Sequence, residues 1–103
     1  MGQVTRYTVI ISERAESNLD SIINYLLMEW NVDVKDNFIY RFKKIISLIS
    51  KDPYIFQEFS KKKSIRKCLI TKHNAMYYRI VKQRVEIITI HDTRRKPSSL
   101  KIK

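Results

Sequence analysis

The spacing of apolar positions predicts one short strand and two helices in the first half of the chain. The stretch Val4–Ile11 is β-branched and aromatic, as is typical of a strand. After Ser12, a favoured N-cap residue, apolar positions recur every three or four residues as far as Trp30. Trp30 is either an anchor for a partner or, as is usual for a tryptophan that closes a helical hairpin, part of the core, where we expect it. A second stripe of the same period runs from Asp33, the predicted N-cap, to Asp52-Pro53, where a helix must end. We therefore expect an antiparallel helical hairpin behind the first strand.

Three further strands are predicted in the second half. Residues 64–70, 75–81 and 85–91 are rich in β-branched and aromatic side chains, and the gaps between them are short enough for hairpins. Residues 54–63 follow no period and are expected to be irregular. Asn74 is the best candidate for a left-handed turn position, because the chain has one glycine. The order βααβββ predicts an α+β fold: a four-stranded, mainly antiparallel sheet with the N-terminal helical hairpin on one face.

The length predicts a single domain, residues 1–103. Two helices cover only one face of a small sheet, so alternation along the aromatic strand should divide its side chains between a core face and an open face. The set expected in the core is Met76, Tyr78 and Ile80, and the set expected on the open face is Tyr77 and Arg79.

Charge is distributed unevenly along the chain. The net charge is +11. Residues 1–50 carry six cations and six anions, whereas residues 51–103 carry fifteen cations and four anions. This asymmetry predicts that the second half faces something anionic: nucleic acid, a membrane surface or an acidic protein segment. The alternative is a solvated charged surface, although balanced charge would serve solubility equally well.

Composition argues against several classes of protein. The single cysteine, Cys68, cannot form an internal disulfide, and no Cys/His cluster has the spacing of a zinc site. We expect Cys68 to be a small strand residue and not a nucleophile. The N-terminal stretch lacks the apolar segment of a secretory signal, and no apolar run approaches the roughly 20 residues that span a bilayer. A soluble, cytoplasmic protein without metal, cofactor or membrane contact is expected.

The chain resembles the RelE/ParE family of bacterial toxins. Its second half carries the resemblance in IRKCLI (residues 65–70) and in HNAMYYRIVKQRVEIITIHDTRRKP (residues 73–97). The early stretch YTVIISERAESNLDSIINYL (residues 7–26) is similar to the opening strand and helix of that family. The resemblance extends from about Tyr7 to Leu100.

The resemblance implies the toxin of a type II toxin–antitoxin (plasmid stabilisation) module. An acidic, partly disordered antitoxin would then neutralise it by folding across its surface, which agrees with the charge of the second half. Some relatives cut messenger RNA on the ribosome, and others resemble ParE and bind DNA gyrase without cleaving anything. A key arginine of the nuclease members falls on Ala75 here, which favours the ParE-like interpretation. The alternatives are a ribosome-dependent mRNA endonuclease and a degenerate member that only binds antitoxin.

The candidate site residues are mainly cations of the second half. Metal-free RNA cleavage needs a proton carrier and groups that stabilise a charged phosphate. The candidates for that chemistry are Arg66, Arg79, His91 and Arg94, of which Arg94 matches a family arginine. The candidates for binding antitoxin, target or nucleic acid are Lys61, Lys63, Arg66, Tyr77, Arg79, Arg94, Arg95 and Lys96. The set expected to converge on the face away from the helices is Arg66, Tyr77, Arg79 and Arg94.

Three of these features have a second interpretation. His91 is either a proton-transfer group or a strand-end residue whose ring hydrogen-bonds to Asp92 or to the backbone. Lys61–Lys63 is either a phosphate-contact loop or a mobile basic linker. The run Arg94–Lys96 is either a solvated chain segment or, since Pro97 prevents a helix from starting at Lys96, a loop presented to an anion.

Overall fold

Residues 6–96 and Leu100, which the computed structural model describes, form two helices and five strands. In chain order these are β1 (Thr8–Ile11), α1 (Glu13–Glu29), α2 (Val32–Lys51), β2 (Glu58–Ser60), β3 (Ile65–Thr71), β4 (Asn74–Val81) and β5 (Arg84–Asp92). Val4 and Thr5, the beginning of the first predicted strand, lie outside the described residues.

The strands form one mixed sheet in the order β1-β5-β4-β3-β2. β1 pairs with β5 in parallel, and the other pairs are antiparallel. The α+β class and the helical hairpin are confirmed, but the prediction of four strands is wrong because β2 adds a fifth. This strand lies in the stretch expected to be irregular. It has three residues and a register shift against β3, so it is too short to show alternation.

α1 begins where the sequence predicts. The Ser12 hydroxyl accepts a hydrogen bond from the backbone N–H of Ala15 at 3.0 Å and donates one to the carbonyl of Ile88 at 2.8 Å. One side chain therefore caps the helix and fastens its start to β5. Glu13 and Glu16 lie in the first turn, where the helix dipole favours anions.

α2 begins two residues earlier than predicted. Asn31, and not Asp33, is the N-cap, and its side-chain oxygen accepts from the N–H of Val34 at 2.9 Å. Both residue types cap helices well. The early cap leaves Asp33 in the first turn, where its charge is favourable. The helix ends at Lys51, with Asp52 as its C-cap, as predicted.

Alternation along β4 places the core as predicted. Met76 and Tyr78 are fully buried against the helices, and Ile80 packs at the margin of the same core. The Tyr78 hydroxyl donates to the carbonyl of Pro53 at 2.6 Å, which holds the α2–β2 connection against the sheet. The other buried members of this core are Ala15, Phe38, Ile49, Cys68, Ile70, Val85, Ile87 and Ile90.

A second, smaller cluster covers the middle of the opposite face. Ile65, Ala75 and Tyr77 are buried there, with Ile88 and Leu100 packed against them. Tyr77 therefore lies away from the helices, as expected, but it is only 4 % exposed.

Two turns use residues that the sequence did not single out. Asn74 is the first residue of β4 and has no positive φ. Among the described residues, positive φ occurs at Ser64 (55°) and at Lys82 (57°), in the β2–β3 and β4–β5 turns. A residue with a Cβ is uncommon in this region, so neither turn was recognisable from composition.

The double role of Ser12 gives a test of this packing. Ser12→Ala removes the cap and also leaves the Ile88 carbonyl without its donor, so we expect a loss of about 2 kcal/mol in the free energy of unfolding. Asn31→Ala is the matched control, because it removes only an exposed cap and should cost about 1 kcal/mol. Urea unfolding measures both losses. Equal losses would contradict the structural role of the Ser12–Ile88 bond.

Candidate functional site

A groove of about 690 Å³ lies between the connected ends of the two helices and the β3–β4 turn. We call it the hairpin groove. Its helical wall includes Tyr25, Trp30 and Val34, its base includes the buried Phe38 and Ile90, and its opposite wall includes Lys72, Arg94 and Arg95. The volume is that of a ligand-sized cleft. One wall is thus apolar and aromatic, and the other is cationic.

Trp30 stands in the helical wall at 64 % exposure, so its expected place in the core is wrong. The reason is local. α1 ends at Glu29, and Trp30 is its C-cap, with a φ of −124° and a ψ of −111°. The side chain lines the groove together with Ile22 and Leu26 of the same stripe, but it lies at the end of the helix and, unlike those two residues, does not pack against the core. Tyr25, half exposed, stands beside it along the groove.

Side-chain hydrogen bonds brace the cationic wall. The Thr71 hydroxyl donates to the side-chain oxygen of Asn74 at 2.8 Å and accepts from the N–H of His73 at 3.2 Å. The Thr93 hydroxyl donates to the carbonyl of Lys72 at 2.8 Å, and the N–H of Thr93 donates to the carbonyl of His73 at 2.9 Å. The β3–β4 turn and the turn after β5 are therefore tied together, which fixes the bases of the cationic side chains.

Arg94 forms a two-pronged ion pair with Asp92. Its Nε and Nη2 atoms donate to the two carboxylate oxygens at 3.0 Å each, and its backbone N–H adds a third bond at 2.9 Å. The side-chain hydrogen bond from Arg94 is the main cause that lowers the pKa of Asp92, and partial burial opposes it. The same bond raises the pKa of Arg94. No described residue forms an ion pair with Lys72 or Arg95, which leaves these two as the uncompensated cations of the wall.

Arg66 lies on the helix-facing side of the sheet, so the expected convergence is wrong. Arg66 is opposite Tyr78 in register, its Nη1 donates to the carbonyl of Phe56 at 2.6 Å, and its guanidinium lies 5.0 Å from the centre of the Tyr54 ring. The alternation of β3 explains this position, because Arg66 shares the parity of the buried Cys68.

Arg79 lies on the face away from the helices, together with Tyr77. Its Nε donates to the carbonyl of Lys63 at 3.4 Å. Tyr77 is covered there by Phe59, whose ring packs edge-on at a centroid distance of 4.8 Å. His91 is opposite Ala75 on β4. No hydrogen bond joins the His91 ring to another residue within the described part of the chain.

The remaining basic candidates occupy opposite ends of the sheet. Lys61–Lys63 form an exposed turn between β2 and β3, whereas the hairpin groove lies at the other end of β3. Arg95 and Lys96 are exposed after the end of β5. Pro97, which was expected to shape this loop, lies outside the described residues.

Tyr25 and Lys72 are groove residues that were missed from the sequence. A signal for Lys72 was present: antiparallel order places the β3–β4 turn beside the end of β5, so Lys72 and Arg94 had to be neighbours. No pattern marked Tyr25, because the helical period assigns it simply to the outer face of α1.

Two further functions find no support among the residues that the structure describes. There, His, Cys, Asp and Glu nowhere form a group of three that would hold a metal ion. In the same part of the chain, neither helix is long and apolar enough to cross a membrane.

The chain belongs to the ParE toxin family of type II toxin–antitoxin systems, because the model of that family matches residues 9–97. No curated protein sequence matches it. Its fold is similar to a chain of the chromosomal ParDE system from P. aeruginosa, with a TM-score of 0.71 and 10 % identity over 85 % of this chain and 97 % of that one. It is also similar to the YoeB/ParE toxin from Agrobacterium tumefaciens (TM-score 0.63, 12 % identity, 82 % and 96 % covered). A third similar structure is the DinJ–YafQ toxin–antitoxin complex from E. coli (TM-score 0.59, 6 % identity, 84 % and 92 % covered).

The Asp92–Arg94 pair should make stability depend on pH. The pKa of Asp92 is lowered on folding, so its contribution is complete above its ordinary value of 3.8 and is lost as the pH falls through the lower folded value. Asp92→Asn should therefore destabilise the protein slightly at pH 7, as expected for an exposed pair, and not at pH 2. Urea unfolding at both pH values measures this difference. Asp20→Asn, on the exposed side of α1, is the control for net charge and should have no effect at either pH.

Cys68 should be chemically inert in the folded protein. Burial raises the pKa of its thiol to about 12, so almost no thiolate exists at pH 8. We expect iodoacetamide to alkylate it only after unfolding. The double variant Cys68→Ala/Leu69→Cys moves the thiol to a neighbouring position that is 53 % exposed, and it should react in the folded state. Rapid alkylation of native wild-type protein would contradict a purely structural role.

Proposed function

We propose that this ParE-family toxin arrests bacterial growth by binding a target, with DNA gyrase as the first candidate, and that it cleaves no RNA. The observation that carries this proposal is the separation of two candidate catalytic side chains, Arg66 and Arg79, from each other and from His91 and Arg94. Arg66 is on the helix-facing side, Arg79 is on the opposite face, and Arg94 is held by Asp92 at the hairpin groove.

Strand register shows how large the dispersal is. Arg79 is four residues further along β4 than Ala75, which is opposite His91. At the rise of a β-strand, four residues correspond to roughly 13 Å. Arg66, opposite Tyr78, is a similar distance along the sheet from the end at which Asn74 pairs with Asp92. Concerted proton transfer needs partners within hydrogen-bonding distance, and the position nearest to His91 holds Ala75.

The cationic wall of the hairpin groove is the proposed site for the acidic antitoxin. Lys72 and Arg95 have no counter-ion among the described residues, and the apolar Trp30 and Tyr25 stand across the groove from them. A segment with carboxylates on one side and apolar residues on the other would satisfy both walls as it becomes ordered. The excess of cations in the second half of the chain supports the same partner.

A ribosome-dependent endonuclease is the second candidate, because one observation favours it. His91 and the Arg94–Lys96 loop lie at the same end of the sheet, which places an imidazole and several cations within one region of the surface. The family supports the gyrase candidate, and Ala75 supports it further.

Two assays with purified protein separate the candidates. The first is primer extension on a message translated in a bacterial cell-free system, and the second is supercoiling of relaxed plasmid by purified DNA gyrase. We expect intact message and inhibited supercoiling. New breaks within codons that appear only during translation would overturn the binding proposal in favour of cleavage.

Charge reversal should identify the surface of the toxin that inhibits gyrase. Arg94→Glu/Arg95→Glu should weaken inhibition of gyrase by about tenfold or more, because close charge pairs at interfaces are worth more than about 1.4 kcal/mol. Lys43→Glu/Lys44→Glu makes the same change in net charge on exposed residues of α2 that do not line the groove. This control should inhibit like the wild type. Equal losses in both variants would show that only net charge matters.

A further inference from the structure

The end of the sheet opposite the hairpin groove is strongly basic. Strand register places the β2–β3 turn and the β4–β5 turn side by side there, because Ile65 at the start of β3 is opposite Arg79 near the end of β4. We call this surface the basic end: residues 6–8, 50–52, 60–65 and 81–86. It carries seven cations and two anions, which is nearly half of the net charge of the chain. The cations are Arg6, Lys51, Lys61, Lys62, Lys63, Lys82 and Arg84.

Hydrogen bonds join the segments of the basic end. The N–H of Tyr7 donates to the carbonyl of Ser50 at 2.8 Å, and the N–H of the first residue of β1 donates to the carbonyl of Gln83 at 3.0 Å. The bond from the Arg79 Nε to the carbonyl of Lys63 ties the β2–β3 turn to β4. The end of α2, the start of β1 and both turns are therefore parts of one surface.

Most cations of the basic end have no counter-ion in the folded chain. Arg84 pairs with Glu86 at 3.0 Å, but among the described residues no ion pair involves Lys51, Lys82 or the three lysines of the β2–β3 turn. The other anion, Asp52, accepts a hydrogen bond from the N–H of Tyr54 at 3.1 Å. The lysines of both turns are exposed. Ions from solution or an anionic partner must therefore neutralise them.

The shape and composition of the basic end fit a duplex nucleic acid. Neighbouring strands are about 4.8 Å apart, so the five strand ends span roughly 19 Å. A DNA duplex carries one charge per about 1.7 Å of its axis, which suits a rigid row of cations of that length. Residues 61–64 and 82–84 include no apolar or aromatic side chain. The turns thus offer no anchor for a peptide or a lipid and no ring on which unpaired bases could stack.

We propose that the basic end binds the phosphate backbone of duplex DNA, whatever its sequence. Each lysine ammonium group acts as a point charge on phosphate oxygens, and contacts of this kind read no base. The choice of DNA over duplex RNA rests on the proposed function, because gyrase acts on DNA. The charge contact itself rests only on the basic end.

This contact leaves the hairpin groove open. β5 runs from Arg84 at the basic end to Asp92 beside the groove, and at the rise of an antiparallel strand its nine residues span roughly 27 Å. The toxin can therefore hold DNA at one end and a protein at the other. Binding to DNA would keep the toxin close to an enzyme that acts on the same molecule.

Fluorescence anisotropy with a labelled DNA duplex of about 20 base pairs tests the proposal. If each of the four lysines of the two turns neutralises one phosphate, the logarithm of the affinity should fall against the logarithm of the salt concentration with a slope of about −3.6. Lys62→Glu/Lys82→Glu removes two of these contacts. The slope should then be about −1.8, and binding in about 50 mM salt should be weaker by about tenfold or more.

The control variant separates the basic end from net charge. Lys43→Glu/Lys44→Glu makes the same change in net charge on exposed residues of α2, about two helical turns before Lys51. It should keep the slope of the wild type. Circular dichroism melting checks that both variants fold. Equal losses of affinity in the two variants would overturn the proposal, because only net charge would then matter.

Further probes identify the class of partner. Poly-glutamate of the same total charge should bind more weakly than the DNA duplex, and equal binding would overturn the proposal in favour of an acidic protein segment. Tighter binding of an RNA duplex of the same sequence would overturn the choice of DNA. A wild type that binds no duplex at about 100 µM protein in about 50 mM salt would overturn the contact itself.

These results stand apart from the test of the gyrase proposal. The anisotropy samples contain no gyrase, so a failure to bind DNA leaves the binding of gyrase through the groove intact. A toxin that binds DNA through the basic end and does not inhibit supercoiling would instead contradict the proposed function alone.

Discussion

The structure depends on one constraint: two amphipathic helices can cover only one face of a five-stranded sheet. That constraint decides which side chains of β3 and β4 are buried against the helices. Met76 and Tyr78 face the helices, and Tyr77 faces away. Because side chains alternate along the regular part of a strand, Arg66 of β3 and Tyr77 of β4 cannot change face without a shift in register or a bulge. Arg66 is therefore fixed beside the α2–β2 connection, however useful an arginine on the other face would be.

The same constraint leaves the candidate site at the ends of the elements. Both sheet faces are occupied at the centre, one by the helices and the other by the cluster around Tyr77. Side chains that are free to meet a partner lie where strands and helices stop: at the α1–α2 connection, in the β3–β4 turn and after β5. Residues from all three segments line the hairpin groove. Its two walls differ in charge because one comes from the neutral first half of the chain and the other from the basic second half.

Patterns that repeat along an element were readable from the sequence, and single departures from a pattern were not. The parity of β4 and the Ser12 cap both follow from repetition or from a residue type with one strong preference. β2 is too short to repeat anything. Asn31 and Asp33 are equally good caps by type, so only the structure decides between them.

The site was predicted less well than the fold, for a related reason. Arg94 and Arg95 were identified, because a run of cations after a strand is visible in one dimension. Their neighbours across the groove were not, because helical spacing puts Trp30 on the stripe of Ile22 and Leu26 and does not show that it stands exposed at the end of α1. Arg66 was assigned by its charge alone, and only the burial of Cys68, which shares its parity, shows that it lies on the helix side.

The parallel pairing of β1 with β5 also has a kinetic consequence. Ser12 and Ile88 are 76 residues apart along the chain, yet their hydrogen bond and the β1–β5 ladder join the start of the fold to its last strand. Until β5 inserts between β1 and β4, β1 has no partner strand and α1 can pack only against α2. Closing so long a loop is slow compared with forming the local β3–β4 hairpin. The groove, whose lining includes residues of α1, of the β3–β4 turn and of the end of β5, is therefore complete only after β5 has inserted.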